Sequence, residues 1–188
     1  MTDDMDRSYF DSMYEHSADP WGFDTRFYER RKYDMTIAAL TRPQYESAFE
    51  PGCSNGALTE RLAPRCGYVV ACDIVDDAVQ RAQDRLERFE HVDVVKATFP
   101  AFRPSRPVDL VVWSEVAYYL GPSSLATAIE CLEDRLMRGG DLVVVNYTGE
   151  TNYPTTADAV DAQIERSGIV ERHTSVRSDL FRLDVWRR

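Results

Sequence analysis

Apolar positions along this chain recur with two different periods, and the switches between them mark out the elements. Over 26–40 (RFYERRKYDMTIAAL), Tyr28, Lys32, Met35 and Ala39 return at three- and four-residue spacing among strong helix formers, which predicts an amphipathic helix. Ala48-Phe49-Glu50 then runs into a Pro/Gly/Ser/Asn turn. Ala57 to Leu62 predicts a short helix stopped by Pro64. Gly67 to Asp73 is apolar, β-branched and short, the pattern of a buried strand. Val75, Ala78, Val79, Ala82, Leu86 and Phe89 share one face of a helix from Asp76 to Phe89. Val92 to Lys96 predicts a strand, a Pro-rich loop follows, and Leu110 to Trp113 predicts another. Pro122-Ser123-Ser124 opens a helix with Leu125, Ala128, Ile129, Leu132 and Leu136 inward, and Gly139-Gly140 is expected to close it as a left-handed stop. Leu142 to Asn146 is a further buried strand. Thr155/Thr156 caps a helix ending near Gly168, and two strands are expected at 169–175 and 180–186. Strands alternating with helices predict an α/β fold: one doubly wound, mostly parallel sheet of seven strands. The whole of 1–188 reads as a single domain, with a helical extension over 1–40 and the α/β core over 45–188.

Composition narrows the classes of partner. The chain has 188 residues, 44% hydrophobic and 29% charged, and its charges sum to 22 − 32 = −10. That is one folded domain with a real core. The acidic balance offers no basic face to phosphates, so nucleic acid is not an expected partner. Apolar runs reach only a handful of residues, such as Leu142 to Val145, so no membrane span is expected. The acidic start MTDDMDRSYF fits neither a secretory leader nor an Arg-rich presequence, and the expected location is the cytoplasm. Cys53, Cys66, Cys72 and Cys131 form no C-x-x-C pair, and the three histidines lie far from them. Reduced cysteines are expected, and no metal site.

The chemistry concentrates at the first strand-to-helix turn, Glu50-Pro51-Gly52-Cys53-Ser54-Asn55-Gly56. Gly52 and Gly56 let backbone approach a ligand, and the following helix supplies free N–H groups. Asp73 ends the next strand, 21 residues beyond Gly52, where an acid can accept from ribose hydroxyls. A dinucleotide fingerprint fits poorly, since Ser54 and Ala57 stand where it needs glycines. Tyr28 and Lys32 have the Tyr-x-x-x-Lys spacing of short-chain dehydrogenases but precede the turn. A P-loop needs a lysine after the glycines, and the chain's two lysines, Lys32 and Lys96, are elsewhere. Glu50 at the turn would repel a pyrophosphate but suits a cation. The expected ligand carries an ammonium or sulfonium group and a ribose.

E-P-G-C-S-N-G-A-L-T at 50–59 with C-D-I at 72–74 resembles motifs I and II of class I S-adenosylmethionine methyltransferases. S-E-V-A-Y-Y-L at 114–120 and L-M-R-G-G-D-L-V-V-V at 136–145 resemble that class's motifs after the fourth strand and in the fifth. D-P-W-G-F at 19–23 and Y-E-R-R-K-Y at 28–33 are similar to the nodulation protein S family, whose members N-methylate the glucosamine end of a chitooligosaccharide. The resemblance implies a Rossmann-like fold, S-adenosylmethionine as cofactor, and a small-molecule acceptor bearing an amine. It implies that Trp21 and Arg31 reach the cofactor from a lid, Arg31 at its carboxylate. Glu50 would anchor the turn, or the methionine ammonium through intervening groups, with Gly52, Ser54 and Gly56 at the methionine end and Asp73 at the ribose. Ile74, Thr98 and Phe99 would border the adenine, and Ser114 would face the methyl group. Glu115, Tyr118 and Tyr14 are candidates to orient the acceptor or take its proton. Ser54 replaces the usual middle glycine of motif I and is expected at negative φ. Thr98 stands where many relatives carry an acid. O-methylation of a natural product and cofactor binding without catalysis stay open as alternatives.

Overall fold

A computed structural model describes residues 4–17 and 19–188; the first three positions of the extension, and residue 18, lie outside them. The elements follow one another as α1 (Arg7–His16), α2 (Phe27–Ala39), β1 (Ala48–Pro51), α3 (Thr59–Leu62), β2 (Val69–Asp73), α4 (Asp76–Leu86), β3 (Val92–Lys96), β4 (Val108–Ser114), α5 (Pro122–Arg135), β5 (Leu136–Tyr147), α6 (Ala157–Ser167), β6 (Glu171–Arg177) and β7 (Phe181–Arg187). Two 3₁₀ turns, Ala63–Arg65 and Ala117–Tyr119, complete the list. The first carries Pro64 inside it, because a proline in the opening turn lacks no bond that the turn would have made.

One seven-stranded sheet runs in the order β3-β2-β1-β4-β5-β7-β6. The first five of these strands are parallel, and β7 lies antiparallel to both β5 and β6. A reversal of winding falls between β1 and β4, which is where ligands bind in such sheets. Both faces are covered. Along β4 and β5, Val111, Trp113, Leu142 and Val144 enter one apolar cluster with α5 and α6, while Leu110, Val112, Val143 and Val145 enter the other beneath α2. Alternating side chains of a strand buried on both faces explain why these segments read as unbroken apolar runs.

Helix ends follow local chemistry. Asp76 and Asp77 sit in the first turn of α4, where the helix dipole favours carboxylates. Thr156 caps α6 by accepting from the Ala159 N–H, and Gly168 ends it at φ +65°. The Gly139-Gly140 expectation is corrected. Helix α5 stops at Arg135, Leu136 already pairs with Val108, and the two glycines lie inside β5. A Cβ at Gly140 would come within 2.8 Å of the Met137 carbonyl oxygen, so that glycine serves strand packing rather than a helix stop.

The amphipathic reading of α2 is corrected as well. Its buried stripe is Glu29, Lys32, Tyr33 and Thr36, mostly polar residues at helical spacing. Tyr28, Met35 and Ala39 do pack against the apolar cluster under this face, but Glu29, Lys32 and Tyr33 turn into the cavity beside them, so hydrophobicity alone does not report the buried stripe. Helix α1 buries none of its residues. Cys53, Cys66, Cys72 and Cys131 are free and buried. No helix among the described residues is long and apolar enough to cross a membrane.

Candidate functional site

A cavity of about 800 Å³ opens at the carboxyl ends of the parallel strands. Its strand-end half begins where β1 delivers Glu50, which is 2% exposed, to the cavity floor. Burial pushes its carboxyl up to about 8, against the neighbouring Thr59 hydroxyl that lowers it, and Oε2 is buried with no partner in hydrogen-bond geometry. Gly52 follows at φ +71°, and a Cβ there would lie 2.9 Å from Cγ2 of Val116, so only glycine fits the turn. Ser54 lines the cavity at φ +50°, not the negative φ expected of it. The Asp73 carboxylate holds that conformation: Oδ2 accepts the Ser54 N–H at 2.9 Å, and Oδ1 accepts the Val75 N–H at 3.0 Å. Burial raises the Asp73 carboxyl, against the backbone bonds that lower it. Each carboxylate oxygen has a second lone pair, so Asp73 can still accept from a ligand. Ile74, Ala97, Thr98 and Phe99 continue the wall.

The opposite half is assembled from distant segments. Ser114 ends β4, and Glu115 follows at φ +58°, a conformation that non-glycine residues hold only when their surroundings impose it. Its Oε2 accepts from the Tyr118 hydroxyl and from the Tyr147 N–H, and its Oε1 lies 3.2 Å from Lys32 Nζ. Lys32 is 2% exposed and also lies 2.8 Å from Oε2 of Glu29. Tyr119 and Tyr153 extend this wall, Tyr153 stacking on Tyr118 with ring centroids 5.1 Å apart.

Of the residues singled out in the sequence, Trp21, Glu50, Gly52, Ser54, Asp73, Ile74, Thr98, Phe99, Ser114, Glu115, Tyr118 and Tyr14 line this one cavity. Two do not. Arg31 projects from another side of α2, donates to the Ser178 hydroxyl at 2.8 Å and lies over the Phe181 ring. With 3.6 residues per turn the stripe 29, 32, 33, 36 faces inward, and position 31 cannot share it. The arginines that line the cavity are Arg7 and Arg26. Gly56 has φ +77° and packs against α4, where an added Cβ would meet Ala82 and Leu86 at 3.1–3.2 Å, so it sets helix packing rather than ligand approach. Tyr14 lies across from Ser54 and shares a hydroxyl–hydroxyl hydrogen bond with it. Burial pushes the Tyr14 and Tyr118 phenols upward, which makes both hydrogen-bonding groups rather than proton acceptors near neutral pH. Lys32, Glu29 and Arg26 were missed as site residues. A lysine and a glutamate three apart on a helix otherwise read as a solvated pair.

The strand order, the antiparallel β7 and a cavity at the switch point define the Rossmann-like fold of class I methyltransferases. Residues 12–149 match the nodulation protein S (NodS) family, and the chain belongs to that family. It is 35% identical to the nodulation protein S of Rhizobium tropici over 66% of this chain and 53% of that protein. Against the nodulation protein S of Sinorhizobium fredii NGR234 it is 30% identical over 82% of this chain and 67% of that protein. The chain thus spans between half and two thirds of the length of these two relatives. The crystal structure of N-methyltransferase NodS from Bradyrhizobium japonicum WM9 in complex with S-adenosyl-L-homocysteine superimposes with a TM-score of 0.85, covering 97% of this chain and 99% of that one at 26% identity.

Proposed function

We propose that this protein is an S-adenosylmethionine-dependent methyltransferase acting on a small molecule, most specifically on the amino group of an amino sugar or glycoconjugate. The observation that carries the cofactor assignment is the buried, partnerless Glu50 oxygen on the cavity floor, beside a glycine turn and the Asp73 carboxylate. A buried carboxyl left without a partner invites a ligand donor with positive charge. The residues present fit the cofactor: Glu50 toward its ammonium, Asp73 toward the ribose hydroxyls, Ile74, Thr98 and Phe99 at the base, and Arg26, in place of Arg31, at the carboxylate. When bound, the cofactor supplies a methyl group on an electrophilic sulfonium. The chain's own contribution is to orient the acceptor and exclude water.

Support for an amine acceptor comes from the charge of the opposite half. Glu29 and Glu115 both lie against the Lys32 ammonium, which leaves the Glu115 carboxylate shared between Lys32 and the cavity, where a cationic acceptor can meet it. NodS of Bradyrhizobium japonicum WM9 is an N-methyltransferase, which agrees with this reading. We place the protein in the cytoplasm, a reading supported by four unpaired cysteines. S-adenosylhomocysteine should raise the melting temperature in proportion to the logarithm of its concentration, whereas NAD and ATP should not. An equal shift with NAD would overturn the cofactor assignment. Product mass with labelled cofactor, measured over amine and hydroxyl acceptors, decides between N- and O-methylation.

The extension acts as a lid in this reading. Helix α1 has no fully buried residue and touches the body through Tyr14 to Ser54, Arg7 to Asp76 at 3.1 Å and the Phe10 ring against Tyr119, while just before it Met5 donates to the Tyr119 carbonyl at 2.8 Å and Asp4 accepts from Gly121 N–H and the Ser124 hydroxyl at 2.8 Å. Amide hydrogens of α1 should exchange fast in the free protein and slowly with S-adenosylhomocysteine bound. Equal protection in both states would make the helix permanent structure.

A further inference from the structure

The Lys32 ammonium is almost fully buried in a helix whose inward stripe could have been apolar. Burying an ammonium costs several kcal/mol unless partners offset it, and well-packed apolar residues often replace such pairs without loss. Its retention therefore calls for a use. The partners define one. Nζ lies 2.8 Å from Glu29 Oε2 on the same helix and 3.2 Å from Glu115 Oε1 on the loop leaving β4. Glu115 is held at three further points: its own N–H donates to the Val145 carbonyl at 2.8 Å, and its Oε2 accepts from Tyr118 and from the Tyr147 N–H at 3.2 Å. Those bonds engage one oxygen and leave Oε1 to Lys32. The ammonium is the contact that ties Glu115 to α2, across 83 residues of sequence. The rings of Tyr28 and Tyr33, with centroids 5.1 and 5.6 Å from Nζ, fix the ammonium from its other sides.

We propose that Lys32 is a positioning residue that holds the Glu115 carboxylate, through Oε1, in the orientation from which it receives the acceptor amine. This rests on the methyltransferase reading above and goes beyond it by naming what aims the carboxylate. An amine must be neutral to attack. The acceptor ammonium gives one proton to the second lone pair of Glu115 Oε1, since Oε2 already accepts from Tyr118 and the Tyr147 N–H; the N–H bonding pair stays on nitrogen as its lone pair, and the carboxylate becomes a carboxylic acid. Glu29 anchors Lys32, so that the ammonium does not follow Glu115 when its charge is lost.

The test compares Lys32→Met with the double variant Glu29→Gln/Lys32→Met, which removes one charge of each sign and leaves the cavity's net charge unchanged. The acceptor probe is chitotetraose de-N-acetylated at its terminal glucosamine. Turnover of Lys32→Met should fall by about 100-fold, the scale of losing ångström-level placement of a reacting group. Affinity for S-adenosylhomocysteine, by calorimetry, should change by less than about twofold, as for sites sharing no partner. The double variant should stay as slow, and it carries the test where the single variant does not fold. Full turnover in Lys32→Met overturns the proposal. Full turnover in the double variant overturns it too, because net charge alone would then suffice. Parallel loss of S-adenosylhomocysteine affinity would assign Lys32 to the cofactor or the fold instead. A crystal structure of the variant with S-adenosylhomocysteine needs no acceptor: a displaced Glu115 carboxylate supports the inference, and an unmoved one overturns it. If the wild-type protein binds S-adenosylhomocysteine but does not methylate the probe, the acceptor assignment fails, and that crystal comparison still decides on Lys32.

Discussion

The two halves of the cavity are built in opposite ways. The strand-end half comes from consecutive turns after β1, β2 and β3, where each residue is placed by the strand that precedes it. Glu50, Gly52 and Ser54 lie within five positions, and Asp73 locks Ser54 through a single backbone bond at 2.9 Å. The opposite half draws Lys32 from α2, Glu115 and Tyr118 from the segment after β4, Tyr147 from the end of β5, and Tyr153 from beyond it. Local contacts fix only the pairs Glu29–Lys32 and Glu115–Tyr118, and the segments fix one another through the Lys32–Glu115 ion pair, the Tyr147 N–H on the shared carboxylate and stacked rings. A half made of strand ends tolerates little change in ligand, because its backbone is the binding surface. A half made of side chains from separate segments can be re-cut for a new acceptor without disturbing the sheet.

This contrast can be broken by substitution on either side. Glu50→Gln is expected to have the largest effect. In the unliganded protein the Glu50 carboxyl titrates near 8 against 4.5 as its ordinary value. A raised carboxyl favours the folded state when protonated, so this contribution is fully present below about pH 4.5 and is lost as pH rises toward 8, at about 1.4 kcal/mol per pH unit. Glutamine removes the loss. Denaturant unfolding above pH 8 should find the unliganded variant more stable than the wild type by several kcal/mol, while its affinity for S-adenosylhomocysteine falls. Parallel stability-versus-pH curves for the two proteins would show that Glu50 is not held protonated.

Asp73→Ala should come next. It removes the carboxylate proposed to hold the ribose and frees the Ser54 N–H, and affinity for S-adenosylhomocysteine should weaken by about 1.5–3 kcal/mol, the range for hydrogen bonds to a charged group. Calorimetry on a folded variant showing unchanged affinity would remove Asp73 from the site. Tyr153→Ala tests the other half with the smallest effect. Its ring stacks on Tyr118 and tilts against Tyr119 at 4.7 Å. Acceptor kcat/KM should fall by the equivalent of about 1 kcal/mol, the scale of an aromatic pair, with cofactor affinity unmoved. A weaker affinity for S-adenosylhomocysteine in this variant would mean that the halves are coupled and that the division drawn between them is wrong.

Much of this molecule was determined by sequence alone. The central strands β2, β4 and β5 follow from apolar runs, and α4 and α5 from 3.6-residue stripes, because a segment buried on both faces of a sheet has no choice of composition. The strand-end residues were legible for the same local reason: a carboxylate, a glycine turn and an acid ending the next strand sit at fixed offsets. What only the tertiary structure decided is what depends on distant segments. Gly139-Gly140 has the chemistry of a helix stop, and Gly139 is left-handed at φ +75°, but α5 has already ended at Arg135 and Leu136 pairs with Val108, so the two glycines fall in an irregular stretch of β5 before its regular pairing resumes at Asp141. Ser54 takes a positive φ because an aspartate nineteen residues away holds its N–H. Arg31 and Lys32 are neighbours in sequence with equal charge, and the rotation of α2 against the sheet sends one outward to Ser178 and the other inward to Glu115. That rotation is set by packing against β7 and α3, and no local pattern encodes it.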